Sequence, residues 1–133
     1  MIKVLSISTH SQVEFLDITS KVREVIKESG VKDGICCIFV PHTTAGIIIN
    51  EGADPSVKKD IITQLDNLVP LSGNYKHGEG NSPAHIKASL VGSSETVIVQ
   101  DGELYLGTWQ SIYFCEFDGP RRRKIMVKIV KND

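Results

Sequence analysis

Residues 96–130 read TVIVQDGELYLGTWQSIYFCEFDGPRRRKIMVKIV. Short runs rich in valine, isoleucine, tyrosine and phenylalanine alternate with turn formers, the texture of antiparallel strands. Thr96–Val99 and Leu104–Leu106 flank Asp101-Gly102, a dipeptide that accepts the positive φ angles of a tight hairpin. Ser111–Phe117 and Lys124–Val130 flank Asp118-Gly119-Pro120, a second turn.

Upstream, helices enter the pattern. Val22, Val25 and Ile26 fall at helical spacing within Thr19–Ser29, and Gly30 stands where a left-handed cap is needed. Asp54-Pro55 supplies an N-cap and a first-turn proline for a helix through Val57, Ile61, Leu65 and Leu68. Ser82-Pro83 opens a shorter helix to about Leu90. The remaining apolar runs are an opening strand at Ile2–Ile7, a short extended piece at Val13–Leu16, and the buried strands Gly34–Val40 and Gly46–Asn50. The chain therefore reads as one α+β domain spanning 1–133, with two or three helices among roughly seven largely antiparallel strands.

Composition narrows the function. With 41% hydrophobic and 23% charged residues, the chain can bury a core, so disorder is not expected. A net charge of −1 argues against bulk-charge binding to nucleic acid or membrane surfaces. No apolar run reaches the roughly 18–20 residues of a membrane span. The opening MIKVLSIST lacks a signal peptide's features, so the cytoplasm is the expected compartment. Cys36, Cys37 and Cys115 are odd in number and form no CxxC pair, so they read as small buried hydrophobes.

Polar residues suited to chemistry cluster at element ends, where a rigid scaffold carries binding loops. His42, Thr43 and Thr44 lie in the turn between two apolar strands, and His77 and Asn81 lie in a glycine-containing loop with His85 one turn into the next helix. Three neutral imidazoles and a water form the open arrangement of catalytic zinc. The plainer reading is that each histidine bonds backbone, and eight residues between His77 and His85 is no helical ligand pair. Thr43 and Thr44 offer hydroxyls for an oxyanion, and Asn81 stands at a helix N-terminus that attracts anions. Glu51 and Asp54 are candidates for a general base or a cation ligand, although N-capping already explains Asp54. Trp109 offers a stacking surface. Arg121 heads the basic run Arg121-Arg122-Arg123, whose last two members face opposite ways if a strand begins at Arg122.

The stretches PHTTAG (41–46), NEGADPSV (50–57), YKHGEGNSPAHIKASLVGSS (75–94) and DGELYLGTWQSIYFCEFDGPR (101–121) together closely resemble the YjbQ-like family. Gly52 departs from that pattern, where a polar or bulky residue often stands. The resemblance implies a β-sandwich-like body and a homotrimer with polar pockets between subunits. It links the chain to a secondary thiamine-phosphate synthase activity on small phosphorylated molecules, and to metal ions associated with His42, His77 and His85. Histidines favour a zinc-like ion over magnesium, which prefers oxygen. Glu51, Asp54 and Trp109 match the family's NE, DP and GTWQ positions. On this basis a transferase, a metal-dependent hydrolase with Glu51 as base, and a non-enzymatic binder of a phosphorylated metabolite or metal all remain open.

Overall fold

The structure, a computed structural model, describes residues 1–132. In chain order it contains β1 (Ile2–Ser8), β2 (Glu14–Asp17), α1 (Thr19–Ser29), β3 (Gly34–Phe39), β4 (Ala45–Glu51), α2 (Pro55–Leu68), α3 (Ser82–Val91), β5 (Ser94–Gln100), β6 (Glu103–Leu104), β7 (Gln110–Glu116) and β8 (Arg122–Lys131). All strand pairs are antiparallel. They form a five-stranded sheet ordered β1-β8-β3-β5-β6 and a three-stranded sheet ordered β2-β7-β4. The α+β expectation holds, with eight strands and three helices among the described residues.

The Asp101-Gly102 hairpin forms as expected. Both residues take positive φ, 53° and 78°, and join β5 to a β6 of only two residues. The turn at Asp118-Gly119-Pro120 does something else: β7 and β8 do not pair, and the turn carries the chain from the small sheet to the large one. Two adjacent apolar runs look alike in sequence whether they pair or part.

Between the sheets lies the main core, where Ile112 and Phe114 of β7 meet Ile38 of β3, Ile125 and Val127 of β8, and Val22 and Ile26 of α1. The opposite face of β7 projects Tyr113 and Cys115, which join Phe15, Phe117, Ala84 and Ala88 in a second cluster beneath α3. Thus β7 is covered on both sides, and its apolar run is nearly continuous for that reason. The large sheet's outer face is open. Val4, Ile35, Phe39, Ile98 and Val130 alternate with the buried residues of their strands and remain exposed.

Three elements place the candidate site. Gly46 lets β4 pass tightly beneath Gly92, because a Cβ there would stand 2.6 Å from the Gly92 oxygen. Asp54 caps α2 as read from sequence, accepting from the Ser56 N–H at 2.9 Å. β8 begins at Arg122, leaving Arg122 exposed and turning Arg123 inward.

Candidate functional site

The strand β4 divides the candidate residues between its two ends. His42, Thr43 and Thr44 precede its first residue, whereas Glu51 is its last. Six residue steps at about 3.3 Å each separate those ends by roughly 20 Å. The pairing Ala45↔Glu116 and Glu51↔Gln110 extends this division onto β7. The histidine turn, Asp118 and Arg121 therefore share one end, while Glu51, Asp54 and Trp109 share the other.

At the first end a cavity of about 380 Å³ is lined by His42, Thr43, Ala45, His85, Ala88, Ser89, Gly92 and Ser93. His77 packs against His85 with perpendicular rings 5.3 Å apart. The three histidines thus gather in one neighbourhood. They do not form a ligand set. His42 Nε2 accepts the Lys124 backbone N–H at 3.0 Å, so that lone pair is already used. Among the described residues no group of three histidine, cysteine, aspartate or glutamate side chains stands ready for a metal ion. The residues as placed in a single chain do not fit a three-ligand metal.

The His42 bond has a structural origin. β3 pairs β8 only as far as Phe39↔Met126, so the Lys124 N–H lies past the last strand partner. The imidazole takes the place of the missing strand residue and gives that amide an acceptor within the chain. Burial and the positive charge of Arg123 hold the His42 pKa below its ordinary value of 6.5. A neutral ring that accepts at Nε2 carries its hydrogen on Nδ1, leaving a donor on a side chain that lines the cavity.

Beneath this turn lies a buried ion pair that sequence reading missed. Arg123 Nε donates to Glu116 Oε1 at 2.9 Å, and its Nη2 also donates to Glu116 Oε2. The same Nη2 reaches Thr44 Oγ1 at 2.8 Å. Thr9 Oγ1 donates to Glu116 Oε1 at 2.7 Å, and the Asp118 N–H to Oε2 at 3.0 Å. Burial opposes the charge on Glu116, but these hydrogen bonds outweigh it and leave its pKa below the usual carboxylate value. Thr44 is therefore a member of the support, not an exposed hydroxyl. The signal was present: a glutamate inside IYFCEF and an inward-facing arginine one strand later are buried charges needing each other.

Asn81 and Arg121 meet at Asp118. Asn81 Nδ2 donates to Asp118 Oδ2 at 2.9 Å, and Arg121 donates both to that oxygen at 2.9 Å and to the Asp118 carbonyl at 2.7 Å. Burial works against the Asp118 charge, yet the bonds from Asn81 and Arg121 overcome it and hold its pKa low. Asn81 does not cap α3 with its side chain, and its buried Oδ1 has no partner.

At the far end the candidate carboxylates serve the turn into α2. Glu51 Oε2 accepts the Ala53 and Asp54 N–H groups at 2.7 and 3.3 Å. The Ser56 hydroxyl and then its N–H lower the Asp54 pKa. Trp109 is 65% exposed, and its carbonyl accepts the Gly52 N–H at 2.8 Å. Gly52 itself is pressed against β7, since a Cβ there would lie 1.8 Å from Ser111 Oγ.

No helix among the described residues is long and apolar enough to cross a membrane. A family model described as "UPF0047 protein YjbQ-like" matches residues 3–132. A UPF0047 protein of Methanocaldococcus jannaschii is 60% identical over 124 residues, covering 93% of this chain and 90% of that protein. UPF0047 protein YugU of Bacillus subtilis is 50% identical over 131 residues, covering 98% and 99%. A YjbQ/UPF0047 family crystal structure from Clostridium acetobutylicum superposes with a TM-score of 0.95 at 57% identity, covering 96% of this chain and 99% of that one. A YbjQ-like protein from Sulfolobus solfataricus also superposes at 0.95, with 38% identity and coverage of 99% and 97%. Motifs, fold and near-full-length similarity agree, and the chain belongs to the YjbQ-like UPF0047 family.

Proposed function

We propose that the cavity between the 41–46 turn and α3 binds the phosphate of a small phosphorylated molecule. The observation that carries this reading is the occupied Nε2 of His42, which turns the ring from a metal ligand into an Nδ1–H donor. Thr43 and Ser93 add hydroxyls to the same lining, whereas Ser89 spends its own on the His85 carbonyl at 2.9 Å. Hydroxyls and imidazole N–H groups are the donors an oxyanion needs, whether the chain binds only or catalyses. Calorimetry with inorganic phosphate and with phosphorylated and unphosphorylated forms of one sugar tests it. Binding confined to the phosphorylated forms, weakened at least about tenfold by His42→Ala, is the expected result; one such lost hydrogen bond to a charged group corresponds to about 1.5–3 kcal/mol. Equal binding of both sugar forms rejects the reading.

Within this reading a thiamine-phosphate synthase-like transferase is the finer assignment, supported by the matched family motifs and by Arg121 near the same end. Product formation from a thiazole phosphate and a pyrimidine diphosphate tests it against hydrolysis of a phosphoester panel and against binding without turnover. A second reading rests on the ring contact of His77 with His85. Those two would hold a zinc-like ion, the remaining ligands coming from outside this chain. Metal analysis of protein purified without added metal or affinity tag separates the readings.

We further propose that the working unit is a homotrimer with the cavity completed by a neighbouring copy. Two features support it: the open apolar face of the large sheet, and the division of matched motif residues between opposite ends of β4. Sedimentation at working concentration checks it, and an active monomer defeats it.

A further inference from the structure

We propose that α2 and the 69–81 connection form a hinged strap, caught on the body by the ion pair between Lys87 and Asp66. The helix is 14 residues long and none of them is buried. By contrast α1 buries Val22, Val25 and Ile26, and α3 buries Pro83, Ala84, Lys87 and Ala88. The apolar stripe of α2, chiefly Ile61, Ile62 and Leu65, covers the second cluster only in part, and Leu68 at its end is 65% exposed, so that Val69, just past the helix, is the one buried apolar residue between Pro55 and Gly80. Tertiary burial supplies most of a helix's stability in a protein, so this helix is held weakly for its length.

Polar attachments then matter more. Near its start, Lys58 Nζ stands 5.7 Å from the Tyr113 ring centroid and 3.4 Å from the Phe15 carbonyl. Near its end, Asp66 accepts from Lys87 Nζ. The two partners are unlike. The Lys87 side chain is 2% exposed and fixed in the body, whereas that of Asp66 is 50% exposed and arrives on the strap. A buried ammonium separated from its carboxylate is left uncompensated, which makes the pair a catch that favours closure.

The two ends of the strap also differ. At the α2 entry, Gly52 is bonded to Trp109 and pressed on Ser111, so the chain is fixed. At the exit, Asn81 is tied to Asp118, but Gly73, Gly78 and Gly80 interrupt the connection before it, with Gly80 at φ +77°. Opening therefore pivots at the Gly52 end. It carries His77 away from His85 and uncovers Phe15, Tyr113 and Phe117.

Hydrogen exchange read by mass spectrometry on the full-length protein, with no ligand added, tests the strap. Amides of Lys59–Asp66 are expected to exchange at least about 100-fold faster than those of Ile112–Cys115, as locally opening units do. Lys87→Met keeps an unbranched chain of similar length without the charge. It should speed the α2 amides by a further order of magnitude while leaving β7 within about threefold. Equal protection of α2 and β7 overturns the proposal. So does a Lys87→Met variant in which both elements speed up alike. Should that variant not fold, Asp66→Asn on the exposed side of the pair is read by the same comparison.

Discussion

His42 completes a sheet: its Nε2 accepts the backbone N–H of Lys124 at the point where β3 has ended and β8 continues. The side chain thus has a structural partner on one nitrogen and a free hydrogen on the other. In nitrogen-detected NMR, neutral His42 should show the Nδ1-protonated tautomer. Its titration midpoint should fall below 6.5, since burial first and Arg123 second disfavour the cation. Protonation also converts the accepting Nε2 into a donor, which breaks the bond to Lys124. In the linkage, the unfolded chain binds the proton first as pH falls. The His42 contribution to stability is therefore full above about 6.5 and is lost as pH drops from there through the folded value. A midpoint above 6.5 or the opposite tautomer contradicts this.

Glu116→Leu and Arg123→Met each strand a buried charge or donor set. Each single change should cost about 3–5 kcal/mol in urea unfolding. The double variant Glu116→Leu with Arg123→Met should recover much of that loss, because neither charge remains to be desolvated. Thr44 and Thr9 keep hydroxyls that lose a partner, so recovery stays incomplete. Additive losses in the double variant argue against coupling.

Gly52→Ala places a methyl group into Ser111, with the nearest atoms the flexible Oγ at 1.8 Å and Cβ at 2.6 Å. Overpacking of this kind costs about 1–3 kcal/mol. Ser111→Gly in the same chain should return part of the loss, as judged by paired thermal melts. If the alanine variant melts with the parent, β4 and β7 separate at that end more easily than the contact implies.

The cysteines should differ in reactivity. Burial lifts the Cys36 thiol to about 11 and the Cys115 thiol well above its ordinary value. At pH 8, iodoacetamide should label half-buried Cys37 first. Cys36 should trail an ordinary thiol by on the order of 100-fold, in keeping with its reduced thiolate fraction. Peptide mass spectrometry of a time course reads the order directly, and prompt labelling of Cys115 disproves it.

The elements were legible because their signals are local. Gly30, Asp54-Pro55 and Asp101-Gly102 each name a backbone conformation that only a few residue types supply, and each stands where that conformation occurs. Which strands share a sheet was not legible, since β7 and β8 flank a short turn and still part company. The site was half readable. Loop placement drew attention to His42, His77 and His85, which do gather. The same reasoning grouped them with Glu51, Asp54 and Trp109, because sequence does not show that β4 runs between them like a spacer. The pairing of Glu116 with Arg123 was not legible, because both charges lie within strands and Arg123 reads first as part of the basic run 121–123.

That spacer yields a prediction about assembly. If a neighbouring copy brings the Trp109 end to the His85 end, His85→Ala and Trp109→Ala each abolish phosphate binding alone. Mixed after subunit exchange, they should regain binding in the fraction of pockets that draw an intact residue from each parent. Calorimetry on the mixture at several ratios measures it. No recovery despite demonstrated exchange means that each chain forms its own pocket.

The burial of β7 on both faces also governs how the sequence can drift. Along β5, alternate positions face solvent, so random substitution meets a tolerant residue at every second step. From Ile112 to Glu116 no such step exists, because the odd residues are committed to one core and the even ones to the other layer's partners. A saturation library across the gene, sorted for folded protein, will therefore show a comb of permissive sites in β5 and an unbroken bar of intolerance in β7. A change tolerated in that strand is expected to need a compensating change in the layer it faces.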